Sequence, residues 1–265
     1  MRFQFCPRLA AALILSLAFA SHASAQSTTR VVHVFVALAD NQHQGIVPVP
    51  AKLGDGDVPA SNLYWGAAFG VKSYFRASAD WQLVSAGAGP KPAILERCIF
   101  KNRKSPVYLV ADAYRGSQIR DAVIDFLSAA AGQKSQTATL HIGQSDLTIP
   151  TNGGADLVAY IGHDAFMDFQ VEPISPSKGD RPRAAIILAC ASKQYFAPYI
   201  KSAGAEPLVW TTGLMAPEAY TLKAALDGWI ANEAASQIRE RAAQAYDKYQ
   251  HCGLRAAQRL FASGW

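Results

Sequence analysis

Four short segments are almost unbroken apolar runs: residues 31–39 (VVHVFVALA), 157–161 (LVAYI), 184–189 (AAIILA) and 208–212 (LVWTT). A strand with one wet face alternates apolar and polar residues. A strand covered on both faces reads as a continuous hydrophobic run. Helical stretches lie between these runs. Residues 62–78 and 117–131 carry apolar side chains at helical spacing, with Ser117 as an N-cap and Gly132 as the stop. Residues 94–101 and 107–111 read as short strands, residues 137–149 as a hairpin, and residues 216–265 as mainly helical. Two segments dense in turn formers, residues 47–59 and 170–182, read as surface loops. The alternation predicts an α/β fold: a predominantly parallel sheet with helices on both faces.

The chain has 265 residues, of which 50% are hydrophobic and 17% charged, which excludes a disordered polymer. The formal charge is +5 and no Lys/Arg run occurs, so nucleic acid is not expected as a partner. Residues 1–25 have the three parts of an export signal: Arg2 and Arg8, an apolar run over residues 9–20, and Ala23-Ser24-Ala25 before Gln26. The expected organisation is therefore a signal peptide, 1–25, and a single α/β domain, 26–265, with a helical C-terminal part. Cleavage after Ala25 lowers the charge to +3. The run is short for a membrane span, so no stable membrane insertion is expected after cleavage. The expected location is periplasmic or extracellular. The oligomeric state is left open.

Three cysteines then remain, Cys98, Cys190 and Cys252. In an oxidising compartment an odd number leaves one thiol over. A Cys98–Cys252 disulfide would leave Cys190 as that thiol.

Ligands and reactive groups gather beyond the carboxyl ends of the strands in such sheets. His163 follows the LVAYI run and Cys190 follows AAIILA, 27 residues later, which is enough for one crossover between parallel neighbours. Imidazole beside thiol is the minimum equipment for acyl transfer by cysteine. No metal or other cofactor is needed for that chemistry. His163-Asp164 and His251-Cys252 are adjacent pairs without the spacing of zinc ligands, and Asp55-Gly56-Asp57 lacks the rest of a calcium loop. No G-x-S-x-G elbow is present. A Cys190–His251 pair is an alternative dyad, but it lacks the flanking glycines of its elbow. Cys190 as an inert core residue is the bland alternative.

The segments LVAYIGHDA and AAIILACAS resemble the caspase-like and gingipain-like cysteine peptidases, in which one hydrophobic strand ends in His-Gly and the next in Ala-Cys. VVHVFVALAD and VYLVADAYRGSQIRDAVIDFL extend the resemblance more loosely. It implies a caspase-like fold and a peptide or protein substrate. It also implies His163 as general base and Cys190 as nucleophile, with the backbone amides of Cys190 and Asp164 receiving the oxyanion. Asp164 stands where the family has glycine. Its carboxylate beside the carbonyl would oppose oxyanion stabilisation, unless it points away. Asp40, Asp112 and Arg115 lie near strand ends and are candidates for binding substrate, with solvated loop charges or turn formers as the alternative. A catalytically inactive, exported caspase-like binding protein is the alternative to a hydrolase.

Overall fold

The computed structural model describes Met1 and residues 29–143, 145–178 and 182–265. The segment read as a signal peptide, Met1 apart, lies outside the described residues, as do residues 179–181 of the second loop.

Strand β1 (Arg30–Ala37) is the centre of an eight-stranded sheet. β4 (Val107–Tyr114) pairs with one edge of β1 and β7 (Leu157–Ile161) with the other, both in parallel. β8 (Ala184–Leu188) and β9 (Glu206–Thr211) continue the parallel run beyond β7. Antiparallel strands finish both ends. β3 (Ile94–Asn102) and β2 (Trp81–Gly87) follow β4, and the two-residue β10 (Phe261–Ala262) follows β9. β5 (Gln136–Ile142) and β6 (Ser145–Thr151) form a separate antiparallel hairpin. The result is an α/β protein with a large, mostly parallel mixed sheet.

Both faces of the sheet are covered. Val32, Val34 and Val36 of β1 pack on the side of helices α1 (Val71–Ala77), α4 (Ala219–Ile230) and α5 (Ala235–Gln250). Val31, Phe35 and Ala37 pack on the side of α2 (Ile119–Ala130) and α3 (Ser192–Ala203). This two-residue alternation between two apolar cores is why the strand reads as one unbroken run. A short helix, α6 (Leu254–Leu260), leads into β10.

Two local expectations are corrected. The helix expected over residues 62–78 is confined to Val71–Ala77. Asn62 accepts from the Ala39 amide at 3.1 Å and donates to the Ala39 carbonyl at 2.8 Å, which ties the segment to the end of β1 as a turn. Gly70 lies so close to the Trp65 backbone that a Cβ there would sit 2.5 Å from it. Ser117 does not cap α2. It lies in a single 3-10 turn, Gly116–Gln118, and the helix begins at Ile119 without a side-chain cap.

Candidate active site

β7 and β8 pair in parallel with Ile161 opposite Leu188. His163 and Cys190 each lie two residues past that pair, so both leave the sheet at one level. The chain turns at Gly162 with φ +152°, a conformation that L side chains rarely adopt. A Cβ there would stand 2.9 Å from the Ala37 carbonyl oxygen. Only glycine fits between the strand and the histidine.

His163 is almost wholly buried, 7% exposed. Its backbone carbonyl accepts from the Tyr160 hydroxyl at 2.8 Å. Its Nε2 meets Asp168 Oδ2 at 2.8 Å. The same Asp168 oxygen accepts the Gly45 amide at 3.1 Å. A carboxylate accepts only, so Nε2 carries the proton and donates it to this bond, which leaves the lone pair on Nδ1. Asp168 reaches His163 because a 3-10 turn, Ala165–Met167, folds the chain back, and Asp164 caps that turn by accepting the Phe166 amide at 3.0 Å.

Cys190 is partly buried. Its sulfur accepts the Met215 amide at 3.4 Å, and its thiol donates to the Met215 carbonyl at 3.6 Å. Ala191 adopts the left-handed conformation (φ 48°, ψ 31°) and starts α3. That conformation is costly for a residue with a Cβ and needs support from its surroundings. Support comes from Ser192 and Thr211. Ser192 donates to the Ile187 carbonyl at 2.9 Å and accepts from the Thr211 amide at 3.0 Å. Thr211 in turn donates to the Ala189 carbonyl.

His163 and Cys190 line one cavity of about 450 Å³, together with Gly162, Tyr64, Met215 and Glu218. This volume is in the range of small-ligand pockets. Three exposed apolar side chains, Val47, Leu214 and Met167, also line it. Burial, with Cys190 and Glu218 adding to it, raises the Tyr64 hydroxyl well above the ordinary tyrosine range, so it stays protonated. Among the described residues, neither the Asp164 nor the Cys190 amide donates a hydrogen bond to the protein.

Asp164 does not line the cavity. Its carboxyl is fully buried, one oxygen caps the 3-10 turn and the other has no partner among the described residues. Burial pushes its pKa up to about 7, with the Asp168 charge adding and the Phe166 amide opposing. An inward-pointing acid that stays protonated below about pH 7 does not repel an oxyanion there. The raised pKa has a stability consequence. Between about pH 4 and pH 7 the folded state holds a proton that the unfolded state has lost, so stability from this group falls as pH rises. The stability difference between Asp164→Asn and the parent should therefore grow in favour of the variant across that window and level off above pH 7. The expected total is about 2–4 kcal/mol by urea unfolding. A flat difference would mean that Asp164 ionises normally.

The other expected residues lie away from the cavity. Asp40 is a turn former: Oδ1 accepts the amides of Gln42 and His43, and Oδ2 meets His43 Nδ1 at 2.9 Å. Asp112 is fully buried between Arg97 and His33. Arg115 is paired with Asp57 at the surface. His251 is exposed at the end of α5 and does not line the cavity. The expected Cys98–Cys252 disulfide is absent, and all three described cysteines are free. Cys98 is buried within β3, while Cys252 is exposed after α5. Burial first, and the Glu96 carboxylate second, push the Cys98 thiol up to about 12. Two side chains at the site, Asp168 and Glu218, have no catalytic assignment in the sequence; Asp168 is legible there only as part of Met167-Asp168-Phe169, a candidate pocket-mouth segment after His163. Asp168 stands five residues after His163 in HDAFMD, a spacing that suits a chain folding back on itself. Glu218 carries no sequence signal.

Among the described residues no cluster of three or more His, Cys, Asp or Glu side chains is placed to hold a metal ion, and no helix is long and apolar enough to cross a membrane. Comparison with known proteins returns no match to a family model, a curated protein or a solved structure.

Proposed function

We propose that the protein is an exported cysteine peptidase of caspase-like fold, with Cys190 as nucleophile, His163 as general base and Asp168 holding the imidazole. The observation that carries this reading is the shared level of His163 and Cys190 on adjacent parallel strands, in one cavity, with His163 Nε2 bound to a carboxylate. The family resemblance places the same two residue types, in the same order, at the ends of consecutive strands.

In the proposed reaction, His163 Nδ1 takes the Cys190 proton and the thiolate attacks the substrate carbonyl carbon. The new C–S bond pushes the carbonyl electrons onto oxygen, where the amides of Cys190 and Asp164 receive them. The imidazolium, steadied by Asp168, gives its proton to the amine nitrogen as the C–N bond breaks. Water then attacks the thioester. His163 takes a proton from that water and returns it to the departing Cys190 sulfur. The exposed apolar side chains around the cavity suit an extended peptide.

The test is the rate at which iodoacetamide alkylates Cys190 in the mature protein across pH, with the modified peptide mapped by mass spectrometry. The dyad predicts a reactive Cys190 whose profile rises well below the ordinary thiol value of about 8.5 and moves upward in His163→Ala. An inert Cys190, or a profile that ignores the histidine, overturns the peptidase and favours an inactive binding protein on the same fold.

A further inference from the structure

We infer that Glu218 selects substrates carrying a lysine or arginine side chain into the cavity beside Cys190. This inference rests on the peptidase reading and goes on to name its substrate class.

Among the described residues lining the cavity, Glu218 is the only acid, and neither a lysine nor an arginine is among them. The carboxylate is positioned by the protein. Oε2 accepts from the Tyr220 hydroxyl at 2.8 Å and from Gln250 Nε2 at 3.1 Å. Gln250 also donates to the Tyr220 oxygen at 2.7 Å, which closes a three-membered network between α4 and α5. Oε1 has no hydrogen-bond partner among the described residues. A carboxylate has room for about four hydrogen bonds, so this one keeps acceptor capacity. The rest of the wall is largely apolar, with Leu63, Met215 and Pro217 in the lining.

Lysine and arginine match this arrangement in both parts. Their methylene stems suit apolar walls, and their charged heads donate to a carboxylate. An acidic side chain would meet a like charge with no cation to offset it. A neutral aliphatic side chain would fill the same space but leave Glu218 desolvated and without a counter-charge, the situation that gives hydrogen-bonding sites their discrimination.

The test uses four peptidyl chloromethyl ketones that differ only in the residue before the ketone: lysine, arginine, norleucine or glutamate. Attack of the Cys190 thiolate forms a C–S bond and expels chloride, and the labelled peptide is quantified by mass spectrometry. The lysine or arginine ketone should label wild-type Cys190 about 10²-fold faster than the norleucine ketone, and the glutamate ketone should be slowest. In Glu218→Gln that ratio should fall below about fivefold, and in Glu218→Lys the glutamate ketone should overtake the basic ones. Each ratio is taken within one variant, so a general change in reactivity cancels. Equal labelling by basic and norleucine ketones, or a preference that survives Glu218→Gln, overturns this inference and leaves the peptidase standing. Failure of every ketone to label Cys190 overturns the peptidase, and the inference with it.

Discussion

Replacing Asp112 by alanine is expected to destabilise the protein by about 3–5 kcal/mol, although the residue lies outside the candidate site. Asp112 is fully buried in β4. Its two oxygens accept from Arg97 Nε and Nη2, each at 2.6 Å, and Oδ2 also meets His33 Nε2 at 3.0 Å. His33 Nδ1 accepts the Asn152 amide at 2.9 Å, so its proton sits on Nε2 and the imidazole is neutral. Alanine would leave a mostly buried guanidinium without its counter-ion and the imidazole without its acceptor. Breaking one partner of a buried pair is the costly case, whereas removing both partners together is much milder. Arg97→Met combined with Asp112→Leu should therefore recover part of the loss, the remainder being the buried His33 Nε2 donor left without its acceptor. Urea unfolding of both variants checks this, and a double variant no better than Asp112→Ala would refute it.

The same triad sets an acid limb. Burial alone would raise the Asp112 carboxyl, but its hydrogen bonds to Arg97 and His33 outweigh that and hold it below the usual range. Burial lowers His33 despite Asp112. Both groups thus bind fewer protons folded than unfolded. Their contribution is complete above about pH 6.5, and it is lost as pH falls, first for His33 and then for Asp112 below about 3.9. Asp164 acts in the opposite sense over part of this range, so the two effects partly offset in the parent protein.

Asp112 also marks the boundary of what the sequence makes legible. The expected strand stops at Ala111, where the apolar run ends. The strand runs on to Tyr114, with Asp112 paired beside Phe35 on one side and Arg97 on the other. An acid is tolerated inside a buried strand because the neighbouring strand supplies its cation at the same register. No local pattern carries that information. The β1, β7, β8 and β9 runs are legible for the opposite reason: burial on both faces makes β1, β7 and β8 almost wholly apolar, and the inner half of β9 likewise. His163 and Cys190 follow from them, since the strands point at the site. β2 is an edge strand with much of its surface exposed, and β10 is two residues long, so neither leaves a run to read. α3 carries Pro198 in its interior, which argues locally against a helix that tertiary packing of Phe196 and Ile200 sustains. Asp168 and Glu218 reach the site through a 3-10 turn and a helix–helix network, and both depend on contacts formed only after folding.

Asp168→Asn is expected to lower turnover by about 10²–10⁴-fold while leaving the stability of the fold nearly unchanged. In the proposed mechanism Asp168 is a positioning residue that acts through the imidazole and not on the substrate. As a carboxylate it accepts the hydrogen bond of His163 Nε2–H, which leaves the Nδ1 lone pair for the thiol proton of that mechanism. It also offsets the charge that appears when the imidazole is protonated. Asparagine keeps the shape, but Oδ2 is the one oxygen that meets both Nε2 and the Gly45 amide, and an NH₂ group in its place faces Nε2 as a donor and gives up the Gly45 bond. The proton then moves to Nδ1 and the base is lost. Hydrolysis of a denatured, fluorescently labelled protein gives the rate, and the nitrogen NMR shifts of His163 report the tautomer. The expected result is a large fall in turnover with the His163 proton moved from Nε2 to Nδ1, and partial recovery in Asp168→Glu. Turnover within a few-fold of the parent would remove Asp168 from the machinery. A large fall with the tautomer unchanged would confine its role to steadying the imidazolium, because the carboxylate's charge would then matter and the proton it holds would not.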